Sequence, residues 1–292
     1  MRRSFSGFLT VRGNSSVLPF PSPSMGKGQD GGASPHLSPP PQGVRRLPRA
    51  QSFKGPTLAP PFKGVFVTGT DTGVGKTIVA AAIALALRSR GMRIGVMKPV
   101  ESGCPRSNGA LVPHDALLLK AAAGCEAALD LINPYALEHP LAPALAAELE
   151  GVSISLDNIE ATYRHLASLY DVMLVEGAGG LLAPLTGELR MLDLACALGL
   201  PVLVVARNVL GAINHITLTV RATQAAGLPV VGVVLNNPQP FSDAATQTNS
   251  TSVKRWGEAP FLGEMPYLPS LSFEALRQAA EVQLAKVLCF GD

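Results

Sequence analysis

GVFVTGTDTGVGKTIVAAAIALALRSRG, residues 64–91, decides the fold. Its first six residues are apolar and β-rich and stop at Gly69. Its last fifteen (77–91) read as an Ala/Leu helix closed by a glycine C-cap. Between them lies GTDTGVGKT (69–77), where three glycines let the chain turn tightly and aim backbone N–H groups inward. The helix N-terminus adds its positive dipole end. Lys76 adds a mobile charge for β- and γ-phosphates, and the Thr77 hydroxyl is placed to ligate Mg²⁺. Five residues separate Gly69 from Gly75, one more than a standard phosphate loop spaces its glycine from the Gly-Lys pair. The loop therefore belongs to a sub-branch of the P-loop class. Asp71 stands where partition-type ATPases of that class carry a second lysine.

Outward from this loop, strands and helices alternate. RIGVMKPV (93–100), PVLVVARN (201–208), PVVGVVLNN (229–237) and FLGEMP (261–266) read as strands, and DVMLVEGAGG (171–180) as a strand running into a glycine loop. Residues 115–124, 141–151, 155–170, 190–199, 211–227 and 272–288 read as helices, with Ser155 as an N-cap. Most strands are continuously apolar, so both faces of the sheet are covered. The expectation is an α/β fold: a doubly wound, mostly parallel sheet with helices on both faces, of P-loop NTPase type. Ligands in such sheets bind at the carboxyl ends of the strands.

The strand ends then supply the candidate site. Lys98 in KPVESG (98–103) emerges at the phosphate rim; a solvated lysine and a group stabilising developing negative charge are equal readings. Ser102 is placed to hydrogen-bond a substrate. Asp115 reads either as a helix N-cap or as a Mg²⁺ ligand. Glu176 ends a buried strand, where an unpaired carboxylate is costly, and so reads as a Walker-B-like acid. Gly177, Gly179 and Gly180 are read as clearance for a ligand against backbone. GAINH (211–215) opens a helix whose free N–H groups suit a carboxylate, with an ordinary capped start as the other reading. Asn236 and Asn237 suit either an adenine edge or turn chemistry before Pro238.

Composition bounds the rest. The chain has 292 residues, 47% hydrophobic and 15% charged, enough for a sizeable core. Residues 1–62 hold 11 of the 25 prolines, 8 of the 24 Lys and Arg, and 1 of the 21 Asp and Glu. They are expected to be a disordered basic extension, either an organellar presequence or a stretch upstream of a later start such as Met25. Residues 63–292 are expected to form a single domain with a net negative charge, and no basic face for nucleic acid is visible. No apolar run is long enough to span a membrane. Cys104, Cys125, Cys196 and Cys289 are scattered, which argues against zinc and a disulfide framework and for a reducing compartment. The expected location is cytoplasmic, or an organelle if the extension is a presequence.

GTDTGVGKT, KPVESG, HDALLL, VEGAGG, GAINH and VLNN, in that order, resemble dethiobiotin synthetase over roughly residues 63–270. That resemblance implies an ATP- and Mg²⁺-dependent cyclo-ligase. It would close a urea ring on 7,8-diaminononanoate with CO₂, through a carbamate and a carbamic–phosphoric anhydride. It also implies a homodimer with substrate near the subunit interface. Carried onto this chain, Lys76 and Lys98 are the catalytic lysines, and Thr77, Asp115 and Glu176 hold Mg²⁺. Thr72 and Ser102 touch the diamine or carbamate end, and Gly211, Ala212 and Asn214 receive the substrate carboxylate. The implied ATP contacts are Gly73, Val74, Gly75, Lys76, Thr77 and Ile78 on the loop, then Asp115, Glu176, Gly177, Ala178 and Gly179. Asn236, Asn237, Pro266, Tyr267 and Leu268 complete the set around adenine.

One segment departs from the family pattern: DAATQTNSTS (243–252) is polar, weakly patterned and lacks an aromatic. An amidoligase related to cobyrinate a,c-diamide synthase shares a similar loop but needs a glutaminase domain with Cys and His, and no His follows residue 237. A partition-type switch would want the second loop lysine and a basic or amphipathic surface.

Overall fold

The computed structural model describes residues 64–240 and 242–284. The extension read at residues 1–62 lies outside the described residues. Six strands form one parallel sheet: β1 (Gly64–Gly69), β2 (Ile94–Met97), β3 (Val172–Gly180), β4 (Val202–Arg207), β5 (Val230–Asn236) and β6 (Phe261–Met265). Their spatial order is β2-β3-β1-β4-β5-β6, so β1 sits inside the sheet between β3 and β4.

Nine helices cover the sheet among the described residues: α1 (Lys76–Ser89), α2 (His114–Ala123), α3 (Leu129–Ile132), α4 (Pro143–Glu150), α5 (Leu156–Leu169), α6 (Met191–Leu198), α7 (Ala212–Ala225), α8 (Ala244–Trp256) and α9 (Phe273–Gln283). Alternation along β1 sends Val65 and Val67 into one apolar cluster and Phe66 into the other. The first cluster is closed by α1, α2 and α9, the second by α4–α8. Helices on both faces are as expected. Helix α1 is buried along Val79–Leu87, and its alanines let α2 and α9 approach closely. Ser155 caps α5, accepting from the Asn158 N–H at 3.2 Å. Among the described residues no helix is long and apolar enough to cross a membrane.

Two elements differ from the sequence expectation. The strand read over 93–100 stops at Met97, and Val100–Ser102 forms a separate short strand beside Tyr135–Leu137. The polar segment from Asp243 is a helix, α8, opened by a reciprocal cap between Asp243 and Thr246.

Parallel pairing brings the carboxyl ends of all the main strands to one edge. Gly69 pairs with both Val205 and Gly180, and Arg207 pairs with Asn236. The loops after β1, β2, β3, β4 and β5 therefore converge there, which is where the candidate residues were placed.

Candidate active site

The loop after β1 is held from three sides. The Thr70 N–H donates to Val205 O at 3.0 Å, the Arg207 guanidinium to Gly73 O at 2.8 Å, and the Asn236 amide to Val74 O at 2.9 Å. Gly73 (φ +69°) and Gly75 (φ +96°) take the left-handed conformations the turn requires. Gly75 is the N-cap of α1; it offers no side-chain cap, and no acidic residue follows in the first turn. The leading N–H groups of α1 are left for an anion. They open on a cavity of about 330 Å³ lined by Gly73, Gly75, Lys76 and Thr77 from the loop, with Lys98 and Glu176 facing them.

Lys98 is 3% exposed and Glu176 is 1% exposed. The Lys98 ammonium donates to Glu176 Oε1 at 2.5 Å and to Asp115 Oδ2 at 2.8 Å. The Thr77 hydroxyl donates to the same Glu176 oxygen at 2.9 Å. Burial alone would lower the Lys98 amine, but the two carboxylates more than offset it and hold it above its ordinary value, fully charged. Burial pushes the Asp115 carboxyl up; Lys98 overrides this and keeps it below the usual carboxylate range. Lys76 has the opposite balance. Burial and the nearby Lys98 charge bring its amine down to about 8. The two readings of Lys98 are thus settled in one respect: it is not a solvated surface lysine.

Glu176 Oε2 is buried and has no hydrogen-bond partner. A carboxylate oxygen left bare at this depth is expensive unless a cation meets it. With Thr77 and Asp115 on the same cluster, the donors are all hard oxygens, which suits Mg²⁺.

Two sequence readings need correction in detail. Asp115 is not the N-cap of α2; Pro113 holds that position and supplies no side-chain bond. The capping oxygens come from Glu101, which no local pattern marks as a cap: Oε1 accepts from the Asp115 N–H at 2.9 Å and Oε2 from the Ala116 N–H at 3.0 Å. Gly177 does not give clearance for a ligand. A Cβ there would lie 2.9 Å from the Phe66 ring, so the missing side chain makes room for the core. Asn236 directs its amide at the loop carbonyl of Val74, while Asn237 donates to Glu264 at 2.7 Å and to Met265 O at 3.0 Å.

The Gly177 finding gives a prediction. Gly177→Ala is expected to cost about 1–3 kcal/mol of stability through overpacking. Denaturant midpoints check it. An unchanged midpoint combined with lost ligand binding would return Gly177 to the clearance role.

Two further cavities open on the domain, of which one borders the first. One of about 780 Å³ shares Thr72, Ser102, Ala178 and Gly179 with the phosphate cavity and is walled by apolar residues such as Leu141, Leu181 and Leu218. The other, about 510 Å³, is lined by Asn237, Glu264, Pro266 and Tyr267 among others. Leu268 packs instead against the apolar cluster around α1. Gly211, Ala212 and Asn214 line none of the three cavities of their own chain. Gly211 (φ +92°) starts α7 without a side-chain cap, and the Ala212 N–H donates to Val209 O at 3.1 Å. Helix α8 props the preceding turn: the buried Asn249 amide donates to Asn208 Oδ1 at 2.8 Å and to Val209 O at 2.9 Å.

A family model described as an AAA domain matches residues 63–275. An ATP-dependent dethiobiotin synthetase of Anaeromyxobacter dehalogenans (strain 2CP-C) is 45% identical over 226 residues, covering 77% of this chain and 99% of that protein. One of Thermodesulfovibrio yellowstonii is 40% identical over 225 residues, covering 74% and 94%. Among solved structures, a ParA family ATPase from Chlorobium tepidum TLS aligns with 78% of this chain and 97% of its own, at 17% identity and a TM-score of 0.47.

Proposed function

This chain belongs to the ATP-dependent dethiobiotin synthetase family, C–N bond-forming ligases of biotin biosynthesis, and we propose that Lys98 is the group on which its ring closure turns. The observation carrying this reading is position. The charged Lys98 amine is buried against Glu176 and Asp115 in the phosphate cavity, and Thr72 and Ser102 bound both that cavity and the larger apolar one. A phosphoryl donor and a hydrocarbon-chained diamine would meet at that boundary.

Each residue then has a task. The loop N–H groups and Lys76 hold the β- and γ-phosphates of ATP. Asn237, Pro266 and Tyr267 border the cavity for adenine. Residues of the apolar cavity take the chain of 7,8-diaminononanoate, with Thr72 and Ser102 at its amine end. One amine takes up CO₂ as a carbamate, whose oxygen attacks the γ-phosphorus and releases ADP. The second amine then attacks the carbonyl of the resulting anhydride and expels phosphate. Negative charge builds on the carbamate and on the moving phosphoryl group, and a fixed ammonium in a dry site stabilises both. Glu176 and Asp115 keep that ammonium charged and aimed. Thr77, Asp115 and Glu176 would hold Mg²⁺, which when bound draws charge off the ATP phosphates.

We also place the substrate carboxylate at the start of α7, which has no side-chain cap. That helix start lies away from its own chain's cavity, so a homodimer is the natural means of bringing the two together. Leu182, Leu210 and Leu218 are 48%, 86% and 60% exposed beside these elements and would be covered by a second copy.

The test is ADP release by the full chain with MgATP and bicarbonate, with and without 7,8-diaminononanoate. ADP that appears only with the diamine, together with dethiobiotin detected by mass, supports the reading. Diamine-independent turnover would overturn the substrate assignment.

The lowered Lys76 amine adds a pH prediction. Below pH of about 8 the amine is already charged and binds phosphate without proton exchange. Above it, binding must draw a proton from solvent, so affinity falls by up to about tenfold per pH unit. Calorimetry of metal-free ATP binding near pH 9, in buffers of different ionisation enthalpy, should show uptake approaching one proton. No uptake would remove Lys76 from the phosphate contacts.

A further inference from the structure

Glu101 lies on the short strand Val100–Ser102 and is 7% exposed. It lines the phosphate cavity, yet its carboxylate is turned to the first turn of α2, where each oxygen accepts one backbone N–H. Between strand and helix the chain runs through an exposed hairpin, Arg106–Ser107 against Ala110–Leu111, turning at Asn108 and Gly109. That hairpin segment closes on itself, with the Val112 N–H on Pro105 O. Besides the Lys98–Asp115 ion pair, the start of α2 is tied to the body of the site through its backbone by Glu101.

A generic cap does not require this. Serine or asparagine at position 113 would satisfy the helix start at the surface. Here a carboxylate is buried instead, close to Asp115, at a cost in desolvation and like-charge repulsion. What the arrangement provides is a charge-assisted, two-point grip on the residue that matters. The N–H held by Oε1 belongs to Asp115, whose own carboxylate meets Lys98 at 2.8 Å.

We propose that Glu101 is a positioning residue: it fixes the first turn of α2 so that the Asp115 carboxylate stays on Lys98 and beside Glu176. This rests on the reading of Asp115 as part of the ligase site.

The test is a double-mutant cycle of Glu101→Gln and Asp115→Asn. It is read by kcat, by KM for ATP, and by Mn²⁺ binding to the protein with a non-hydrolysable ATP analogue. Glutamine keeps the shape of Glu101 but offers one acceptor and brings a donor against an N–H. Glu101→Gln is expected to lower kcat and weaken Mn²⁺ binding by about 10- to 100-fold, with KM for ATP within about threefold. If Glu101 acts through Asp115, adding Glu101→Gln to Asp115→Asn changes kcat by less than about twofold. Additive losses would overturn the proposal, as would a lowered melting temperature with unchanged kcat and Mn²⁺ affinity. An Asp115→Asn variant with full activity would overturn the site reading itself, and the proposal with it.

Discussion

Lys98→Met is expected to lower dethiobiotin formation by at least about a hundred- to thousandfold, the scale of removing one fixed charge-stabilising donor. Methionine nearly matches the lysine stem in volume, so the void is small and the loss is electrostatic. ATP affinity should change only a few-fold, because Lys76 and the loop N–H groups remain. Stability should respond as well. Lys98 now neutralises Glu176, which is 1% exposed. Breaking a buried ion pair from one side costs about 3–5 kcal/mol. The variant should therefore melt well below the parent in chelator and recover part of that loss with Mg²⁺, since a cation that binds the folded site stabilises it. Product mass against time and melting curves with and without Mg²⁺ decide the matter. Ring closure within about tenfold of the parent would remove Lys98 from the chemistry, whatever happened to the melting temperature.

Much of this site was readable because it is local. The loop 69–77 carries its glycines, lysine and threonine within nine residues, and Lys98 and Glu176 are marked by apolar runs that end in a charge, although β3 runs on past Glu176 to Gly180. Glu101 was not readable. Its partners are 14 and 15 residues away, and nothing in VES marks the glutamate as a cap for a helix that starts behind an exposed hairpin. Gly177 was misread for a related reason: the neighbour it makes room for, Phe66, lies on another strand. Helix α8 was missed because its sequence argues against it. AATQTNSTSVKRW is rich in residues whose hydroxyls compete for backbone carbonyls, as Thr248 does on Ala244 O at 2.7 Å. Tertiary contacts hold it: Val253 is in the core, and Asn249 is buried on Asn208 and Val209. Short-range pattern located the chemistry, while the parts that orient it are long-range pairings.

Gly75→Ala should abolish nucleotide binding without unfolding the domain. Gly75 sits at φ +96°, a conformation that strains a side-chain-bearing residue by about 1–3 kcal/mol. An added Cβ would also lie 2.0 Å from the Asn236 amide nitrogen and 3.0 Å from its Cγ. Asn236 is 4% exposed and cannot swing into solvent. It must therefore release Val74 O, leaving buried polar groups unpaired at about 1–3 kcal/mol. The loop escapes both penalties by leaving the conformation that points its N–H groups at phosphate. Affinity for ATP should then fall by at least about a hundredfold, and ring closure with it. Gly91→Ala is the control. It has a similar φ of +84° but nothing within 4 Å of the added Cβ, and it lies at the far end of α1. It should lose some stability and keep parental ATP affinity. Calorimetric titration of both variants separates backbone strain from loop displacement. If Gly75→Ala binds ATP within about threefold of the parent, the observed loop conformation is not what holds the phosphates.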